Sequence, residues 1–245
     1  LRNVIASLYM NFEAYICRRI DAVIQICTID EEDYFDKRCK ASVFVTNASN
    51  LSDFLPDYSL PFNERNSVIH IGGLTYERGI THLVKSSAFT SVKINLAGPL
   101  EDLYQNQLML LSEYKSINYL GLLDKQGVFD CLNNSLAGIA TLLNIGQYNK
   151  IDTLPTKIYE YMAMGIPVIL SDTSYNQKIN KIYDFGICVD PTDPKAIAEA
   201  INYLKNNPDK AEEMGKKGRE AAEKCFNWSV EEQKLLSLYK SLLQI

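Results

Sequence analysis

The sequence predicts an α/β protein whose core is a doubly wound, six-stranded parallel sheet of the Rossmann type. Apolar runs of strand length recur along the chain, and segments with helical periodicity lie between them. Strands that alternate with helices in this way are typical of a parallel sheet with helices on both faces. The length of 245 residues is sufficient for one large α/β domain and part of a second.

Six strands are expected in the regular part of this alternation, which begins near residue 64. They are predicted at 67–72, 92–97, 117–121, 138–143, 167–171 and 186–189. Helices are predicted at about 78–89, 101–114, 125–134, 155–164, 174–184 and 194–206. Because a doubly wound sheet reverses its winding between the first and fourth strands, we expect the strand order 3-2-1-4-5-6. The strands at 67–72 and 138–143 should therefore be neighbours.

The remainder of the chain has less regular patterns. A buried helix is expected over the opening residues, which are largely apolar and end in Arg18 and Arg19. Further elements are predicted as strands at 22–27 and 42–47, a helix that begins at Asp30, and helices at about 208–225 and 229–243. The predicted division is a first segment at 1–50, a linker at 51–63, the Rossmann domain at 64–226 and a final helix at 227–245.

Composition argues against several classes of partner and location. The net charge of −5, from 25 basic and 30 acidic residues, argues against a nucleic-acid partner held by phosphate contacts. The six cysteines are scattered without a C-x-x-C pair, which favours a reduced, cytoplasmic compartment and no structural zinc. The opening stretch is interrupted by Arg2 and Glu13, so at most peripheral contact with a membrane is expected.

The stretch LPTKIYEYMAMGIPVILSD, at 154–172, places Lys157 and Glu160 at the head of an otherwise apolar helix. Residues three apart share a helix face, so a salt bridge on a solvated edge is one interpretation. The stretch follows the fourth predicted strand, beside the point where the winding reverses. Ligands bind at that point in doubly wound sheets, and this position favours a ligand-binding role.

The loop GGLTYERG, at 72–79, follows the first predicted strand and faces the same crevice. Glycines allow backbone N–H groups to approach a phosphate closely, and Arg78 can bind phosphate oxygens with two hydrogen bonds. This loop taken alone favours an ordinary turn with a surface arginine over a phosphate site. Together with Lys157, Glu160 and the N-terminus of their helix, it predicts a site for a sugar nucleotide diphosphate.

Five segments carry a resemblance to a known family. They are VIHIGGLTYERGI, VKINLAGPLED, INYLGLLDKQ, LPTKIYEYMAMGIPVILSD and GICVDPTDPKAIAEAI. In order and spacing, from about residue 64 to the end, they resemble the nucleotide-sugar-binding half of family-4-type GT-B glycosyltransferases. The resemblance implies a retaining, metal-independent transfer of a hexosyl group from a nucleotide-diphosphate sugar. The branch it resembles builds bacterial exopolysaccharide, capsule or lipopolysaccharide, so the implied acceptor is a saccharide or a lipid-linked chain.

The resemblance also implies which residues bind the donor phosphates. Arg78 would hold the diphosphate, helped by backbone N–H groups of the Gly72-Gly73 turn. Lys157 and the amide of Thr156 would lie near the same phosphates. Many members of the family have arginine where this chain has Gly73, which leaves one cation fewer on the diphosphate.

The other implied contacts concern the nucleoside and the sugar. Glu160 matches the glutamate that binds the donor ribose, and Gly121 and Leu122 match the backbone segment beside the base. The family's first motif glutamate corresponds to Asp152, which is one methylene shorter. Asp152 could hold a donor-sugar hydroxyl, and it is equally consistent with a loop or capping aspartate.

The segment at 1–50 resembles only the tail of the first Rossmann half of a GT-B enzyme. The two histidines, His70 and His82, lie in the other half, and both are interpreted as structural; His70, within a strand, is expected to be a core residue rather than a base. An alternative is therefore a non-catalytic donor-binding module that needs a separate chain. A sugar-nucleotide epimerase is a third, less favoured interpretation. The last helix has an apolar stripe wider than a solvated helix needs, which predicts a first-half partner chain or a homo-oligomer.

Overall fold

The computed structural model of the chain describes residues 2–28, 34–35, 38–146 and 151–243. These residues form two compact units. The smaller unit comprises Leu1–Ala48, Lys150–Thr153 and Trp228–Ile245, and the larger unit comprises Ser49–Asn149 and Leu154–Asn227. No helix within the described ranges is both long and apolar enough to cross a membrane.

The strands and helices are numbered in chain order. The strands are β1 Val23–Gln25, β2 Ser42–Phe44, β3 Ser67–Ile71, β4 Lys93–Ala97, β5 Ile117–Gly121, β6 Ala137–Ala140, β7 Val168–Ser171 and β8 Gly186–Val189. The α-helices are α1 Arg2–Cys17, α2 Ile80–Ser86, α3 Asp102–Met109, α4 Lys125–Asn133, α5 Thr156–Ala163, α6 Ser174–Tyr183, α7 Pro194–Asn206, α8 Pro208–Lys224 and α9 Trp228–Leu243. Short 3-10 helices occupy Leu51–Asp53, Ser87–Phe89 and Ser112–Ser116.

The larger unit is built on one parallel sheet with the strand order β5-β4-β3-β6-β7-β8. Strands β3 and β6 are neighbours, with Val68 opposite Ala137 and Ile69 opposite Gly138. Counted from β3, this is the predicted order 3-2-1-4-5-6, and the predicted doubly wound α/β fold is confirmed. Every residue of β6 and β7 is buried, as expected for strands with helices on both faces.

A glycine in β6 fixes the position of helix α5 on the sheet. A Cβ at Gly138 would lie only 2.3 Å from the ring of Tyr161, so a larger residue would displace that ring. The Tyr161 hydroxyl accepts a hydrogen bond of 3.1 Å from the backbone N–H of Ile71 at the end of β3. Helix α5 is therefore held against the carboxyl ends of the two central strands, where the predicted ligand site lies.

Several predicted boundaries differ from those of the structure. Strand β6 ends at Ala140 rather than at residue 143, and α2 begins at Ile80 because Gly79 precedes it in the left-handed region. The helix predicted at 101–114 is two pieces, α3 and a 3-10 turn that begins at Ser112. The helix predicted to begin at Asp30 lies outside the described residues.

The smaller unit contains α1, the parallel pair β1–β2 and α9. The segment after β2 contacts α9, where the buried carboxylate of Glu231 accepts hydrogen bonds from the Thr46 N–H and from Lys234. The prediction that the opening helix is buried is wrong, because Cys17 is its only buried residue among those described. Leu8 is 65% exposed and Phe12 63% exposed, since no described residue covers their side of α1. The assignment of this unit to a first Rossmann half stays a prediction.

Candidate active site

The two cations from the separate sequence motifs converge on the turn after β3. Gly72 has a φ of +109°, and a Cβ there would lie 3.4 Å from Nη1 of Arg78 and 3.5 Å from Nζ of Lys157. The Arg78 guanidinium also lies beside Gly73, with Cζ 3.7 Å from the Cβ position of that residue. The absence of side chains at Gly72 and Gly73 therefore leaves room for both cations at one backbone turn. Two cations at one turn can form charge-assisted hydrogen bonds with the oxygens of a diphosphate group.

Lys157 does not lie on a solvated edge. Its side chain is buried, and its Nζ lies 2.8 Å from Nε2 of His70, which is itself fully buried in β3. Among the described residues, no ion pair joins Lys157 to Glu160. The interpretation of these two residues as a surface salt bridge is therefore wrong.

Burial and charge lower the pKa of both members of this pair. Burial, followed by the charge of Arg78, lowers the pKa of Lys157 to about 7, and the charge of Glu160 partly opposes this fall. Burial, followed by the charges of Lys157 and Arg78, holds the pKa of His70 well below its usual value. His70 is therefore neutral near pH 7, whereas Lys157 is poised between its two forms. An anion bound beside Lys157 would favour the charged form.

Glu160 lies one helical turn after Lys157 and is partly exposed. Burial raises the pKa of its carboxyl group, and the charge of Lys157 partly opposes this rise. Helix α5 begins at Thr156, which is exposed, and Pro155 supplies no side-chain hydrogen bond to cap the helix. The first N–H groups of α5 are thus not capped by Pro155, as expected of a helix that binds an anion at its N-terminus.

The residues expected near the base lie along the same edge of the sheet. The N–H of Gly98 donates a 2.8 Å hydrogen bond to the carbonyl of Gly121, and a Cβ at Gly98 would lie 2.1 Å from the carbonyl oxygen of Gly72. Gly121 has open space at its Cβ position, and Leu122 is 77% exposed. Gly98 therefore links the turn at Gly72 to an open surface that a base could occupy.

Asp152 belongs to the smaller unit, whereas the other predicted site residues belong to the larger one. Its backbone N–H donates to the carbonyl of Thr28, and the Thr28 hydroxyl donates to its carboxylate. The structure thus gives Asp152 local partners in its own unit. Its predicted role toward the donor sugar stays a prediction.

A polar cavity of about 440 Å³ opens at the carboxyl ends of β7 and β8. Among the residues that the structure describes, its charged lining residues are Asp172 and Asp190, and none is a lysine or an arginine. A diphosphate carries negative charge, so this cavity does not suit it. The turn at Gly72 is the better candidate for the phosphate site.

His70 and Tyr161 are site residues that sequence reasoning did not identify. His70 is buried, as predicted for a core residue, but its contact with Lys157 spans 87 positions of the chain. The one feature of the sequence that could have indicated a role for His70 is its place as a single polar residue in an apolar strand, two positions before the Gly72-Gly73 turn. That signal alone does not reveal which residue faces the histidine.

Solved glycosyltransferases share the fold of this chain. A sucrose-phosphate synthase from Thermosynechococcus elongatus superposes with a TM-score of 0.74 at 22% identity, over 95% of this chain and 61% of that one. A glycosyltransferase from Rickettsia africae has a TM-score of 0.74 at 18% identity, over 95% and 67% of the two chains. Anabaena HepE in complex with UDP has a TM-score of 0.73 at 15% identity, over 93% and 66%.

Sequence comparison identifies the family. Spore coat protein SA of Bacillus subtilis is 37% identical over 83 residues, which are 34% of this chain and 22% of that protein. The chain thus spans less than two thirds of that relative and of the sucrose-phosphate synthase. The family described as "Glycosyl transferases group 1" matches residues 53–221, well over half of the chain. This match covers the whole parallel sheet and the turn where Arg78 meets Lys157, and the chain belongs to the group 1 glycosyltransferase family.

Proposed function

We propose that the chain binds a nucleotide-diphosphate sugar at the Gly72 turn and supplies the donor half of a retaining, metal-independent hexosyl transfer. The observation that carries this proposal is the convergence of Arg78 and Lys157 on Gly72. Lys157 comes from the other side of the crevice and provides a second cation at the turn, where the family resemblance implies an arginine at position 73 in many members. Two cations at one turn suit the two phosphates of a nucleotide sugar.

The proposed chemistry is electrostatic stabilisation of the leaving group. As the bond between the sugar's anomeric carbon and the phosphate oxygen breaks, its electron pair stays on the nucleoside diphosphate. The acceptor's hydroxyl oxygen bonds to the anomeric carbon, and the hydroxyl proton passes to the departing phosphate. Arg78 and Lys157 would stabilise that negative charge in a partly buried site, where charges interact more strongly than in water. The backbone N–H groups of Gly73 and Thr156 would add hydrogen bonds to the phosphates. Glu160 would accept hydrogen bonds from the ribose hydroxyls.

The classes of donor and acceptor are proposed from the relatives. Anabaena HepE is known in complex with UDP, which supports a nucleoside diphosphate as the group bound at this edge. Gly121 and Leu122 are proposed to lie beside the base, and Asp152 to contact the donor sugar. We propose a saccharide or lipid-linked acceptor of bacterial surface polysaccharide synthesis from the family resemblance, and the match to a spore coat protein agrees with a role in building a bacterial surface structure. We propose that the chain acts in the cytoplasm or at the inner face of the cytoplasmic membrane.

Replacing Glu160 with glutamine tests the proposed ribose contact. The substitution keeps the size of the side chain but removes the charge that accepts the ribose hydroxyls. We expect binding of the nucleoside diphosphate to weaken by about 1.5–3 kcal/mol, the range for a hydrogen bond to a charged group. Calorimetric titration of the wild type and variant with UDP, GDP and ADP measures this difference.

Glu199→Gln is a matched control, because Glu199 is exposed on α7. This control should leave both the nucleotide affinity and the melting temperature unchanged. A Glu160→Gln variant that melts at much lower temperature but retains normal nucleotide affinity would contradict the ribose contact. That outcome would instead assign Glu160 a structural role.

We further propose that catalysis requires a second body of protein against the smaller unit, either a partner chain or another copy. Helix α1 exposes a set of large apolar residues, Val4, Ile5, Leu8, Tyr9, Met10, Phe12 and Tyr15. A surface of this kind favours association. We expect the purified chain to bind a nucleoside diphosphate, to self-associate, and to transfer no sugar as a monomer.

Incubation with radiolabelled nucleotide sugars and lipid-linked acceptors measures transfer, and light scattering after size-exclusion chromatography measures the oligomeric state. Addition of a separate first Rossmann half should restore transfer if a partner chain is required. Transfer by a clean monomer would contradict the requirement. Nucleotide binding without transfer under every condition would favour the non-catalytic donor-binding module.

A further inference from the structure

A buried hydrogen bond joins the two central motifs of the larger unit. His70 in β3 is fully buried, and its Nε2 lies 2.8 Å from Nζ of Lys157 in α5. The other ring nitrogen, Nδ1, is buried and has no hydrogen-bond partner among the described residues. Buried polar atoms without partners are uncommon in folded proteins and call for an explanation. Among the described side chains, Lys157 is the one that forms a hydrogen bond with this ring, and backbone groups of Gly73 and Ile139 also act on it.

The direction of this hydrogen bond follows from the charges around it. The ionisable groups that act on the pair are Arg78 and Glu160, and Arg78 lies close enough to lower the pKa of both members. Because His70 is neutral, its Nε2 can accept a hydrogen bond from the Lys157 ammonium. No carboxylate lies within ion-pair distance of Lys157 among the described residues, so His70 is the acceptor that the ammonium has.

The position of the ammonium matters for the turn at Gly72. Lysine has a flexible stem and a single charged atom, so its direction must be fixed by a contact at its tip. With Nζ held against His70, that atom lies 3.5 Å from the Cβ position of Gly72, and Arg78 lies at 3.4 Å from the same position. A hydrogen bond at this position can hold Nζ beside Arg78 despite the repulsion between the two cations.

We infer that His70 is a positioning residue, which holds the Lys157 ammonium beside Arg78 so that both cations meet the donor diphosphate. This inference rests on the proposed donor binding and adds to it a residue that never touches the donor itself. His70 acts only through Lys157. Its contribution therefore depends on an acceptor atom at the position of Nε2, and not on the imidazole ring as such.

Two substitutions separate the acceptor atom from the volume of the ring. His70→Phe fills the site but removes the acceptor, and His70→Gln replaces Nε2 with a side-chain oxygen that can accept. We expect UDP, GDP or ADP, whichever binds the wild type, to bind the phenylalanine variant about tenfold more weakly at pH 7. The glutamine variant should bind within about threefold of the wild type, because its acceptor is restored.

The dependence of affinity on pH provides a readout that a purely structural role would not change. In the wild type, affinity should fall as the pH rises from 7 to 9, because Lys157 loses its proton. Without an acceptor the ammonium is less stable, so in His70→Phe this fall should move to lower pH by about one unit. His70→Gln should move it back. His82→Gln, a histidine outside the pair, is the matched control and should leave the profile unchanged.

A measurement without nucleotide keeps the inference testable if the donor proposal fails. The Nζ signal of Lys157, assigned with Lys157→Gln in lysine-labelled protein, reports its pKa by nuclear magnetic resonance. A lower pKa in His70→Phe than in the wild type and in His70→Gln supports the role of His70. Absence of nucleotide binding by the wild type would contradict the proposed function. Equal affinity, equal pH profile and equal Lys157 pKa in all three proteins would overturn the role of His70 alone.

Discussion

Replacing Lys157 with methionine is expected to stabilise the larger unit near pH 7 while weakening nucleotide binding about 10- to 100-fold. The unfolded chain binds the lysine proton up to its ordinary pKa of about 10.4, whereas in the folded chain the pKa is about 7. Between these values the unfolded state binds more protons, so the stability of the wild type rises with pH across that window. Below pH 7 the buried side chain is charged in both states, and the full cost of its burial is present.

Methionine fills a similar volume without a charge, so the variant should lack this pH dependence. We expect its free energy of unfolding at pH 7 to exceed that of the wild type by about 2–5 kcal/mol, with the difference vanishing above about pH 10. Denaturant unfolding at several pH values measures the stability, and calorimetric titration with nucleoside diphosphates measures the affinity. The loss of affinity follows from the loss of one cation at the diphosphate.

Lys181→Met is the matched control, since Lys181 is exposed on α6. It should change neither stability nor affinity by more than a small amount. A Lys157→Met variant that is less stable than the wild type between pH 6 and 9, and that retains full affinity, would contradict the burial of the charge and its role at the phosphates.

Replacing Gly79 with alanine is expected to destabilise the larger unit by about 3–5 kcal/mol. Gly79 has a φ of +76°, and its Cβ position lies 1.9 Å from the backbone carbonyl oxygen of Thr141. A backbone oxygen cannot move aside as the end of a side chain can, so α2 or the chain after β6 must shift. Because Gly79 follows Arg78 directly, such a shift should also weaken nucleotide binding.

Gly146→Ala separates the backbone strain from the collision. Gly146 has a similar φ of +65°, and no atom of the described residues is recorded within 4 Å of its Cβ position. Its replacement should cost only about 1 kcal/mol, the price of a left-handed alanine. Thermal and denaturant unfolding of both variants measure the two effects. Equal destabilisation by both substitutions would show that the close approach of Gly79 to Thr141 contributes nothing to the loss of stability in Gly79→Ala.

The sequence by itself was sufficient to predict the sheet and to place the loops of Arg78 and Lys157 at the same edge of it. Apolar runs at strand spacing reveal a buried parallel sheet, and the order of a doubly wound sheet follows from its connections. Parallel strands place their carboxyl ends at one edge, so the loops that carry Arg78 and Lys157 could be assigned to one crevice before any side chain was placed. The convergence of both cations on Gly72 agrees with that prediction.

Only the tertiary structure decided the environment of those side chains. The sequence spacing of Lys157 and Glu160 suggests a surface pair as readily as a ligand site, because spacing reports a shared helix face and not its burial. The contact of Lys157 with His70, like that of Tyr161 with Ile71, joins residues about 90 positions apart. Burial, which lowers the pKa of Lys157, depends on what packs against the side chain. The partners of Lys157 and Tyr161 in α5 come from strand β3, which is distant in the sequence. The sequence could not reveal the exposure of α1 for the same reason. An apolar helix is expected to be covered, but its sequence does not specify which part of a protein covers it.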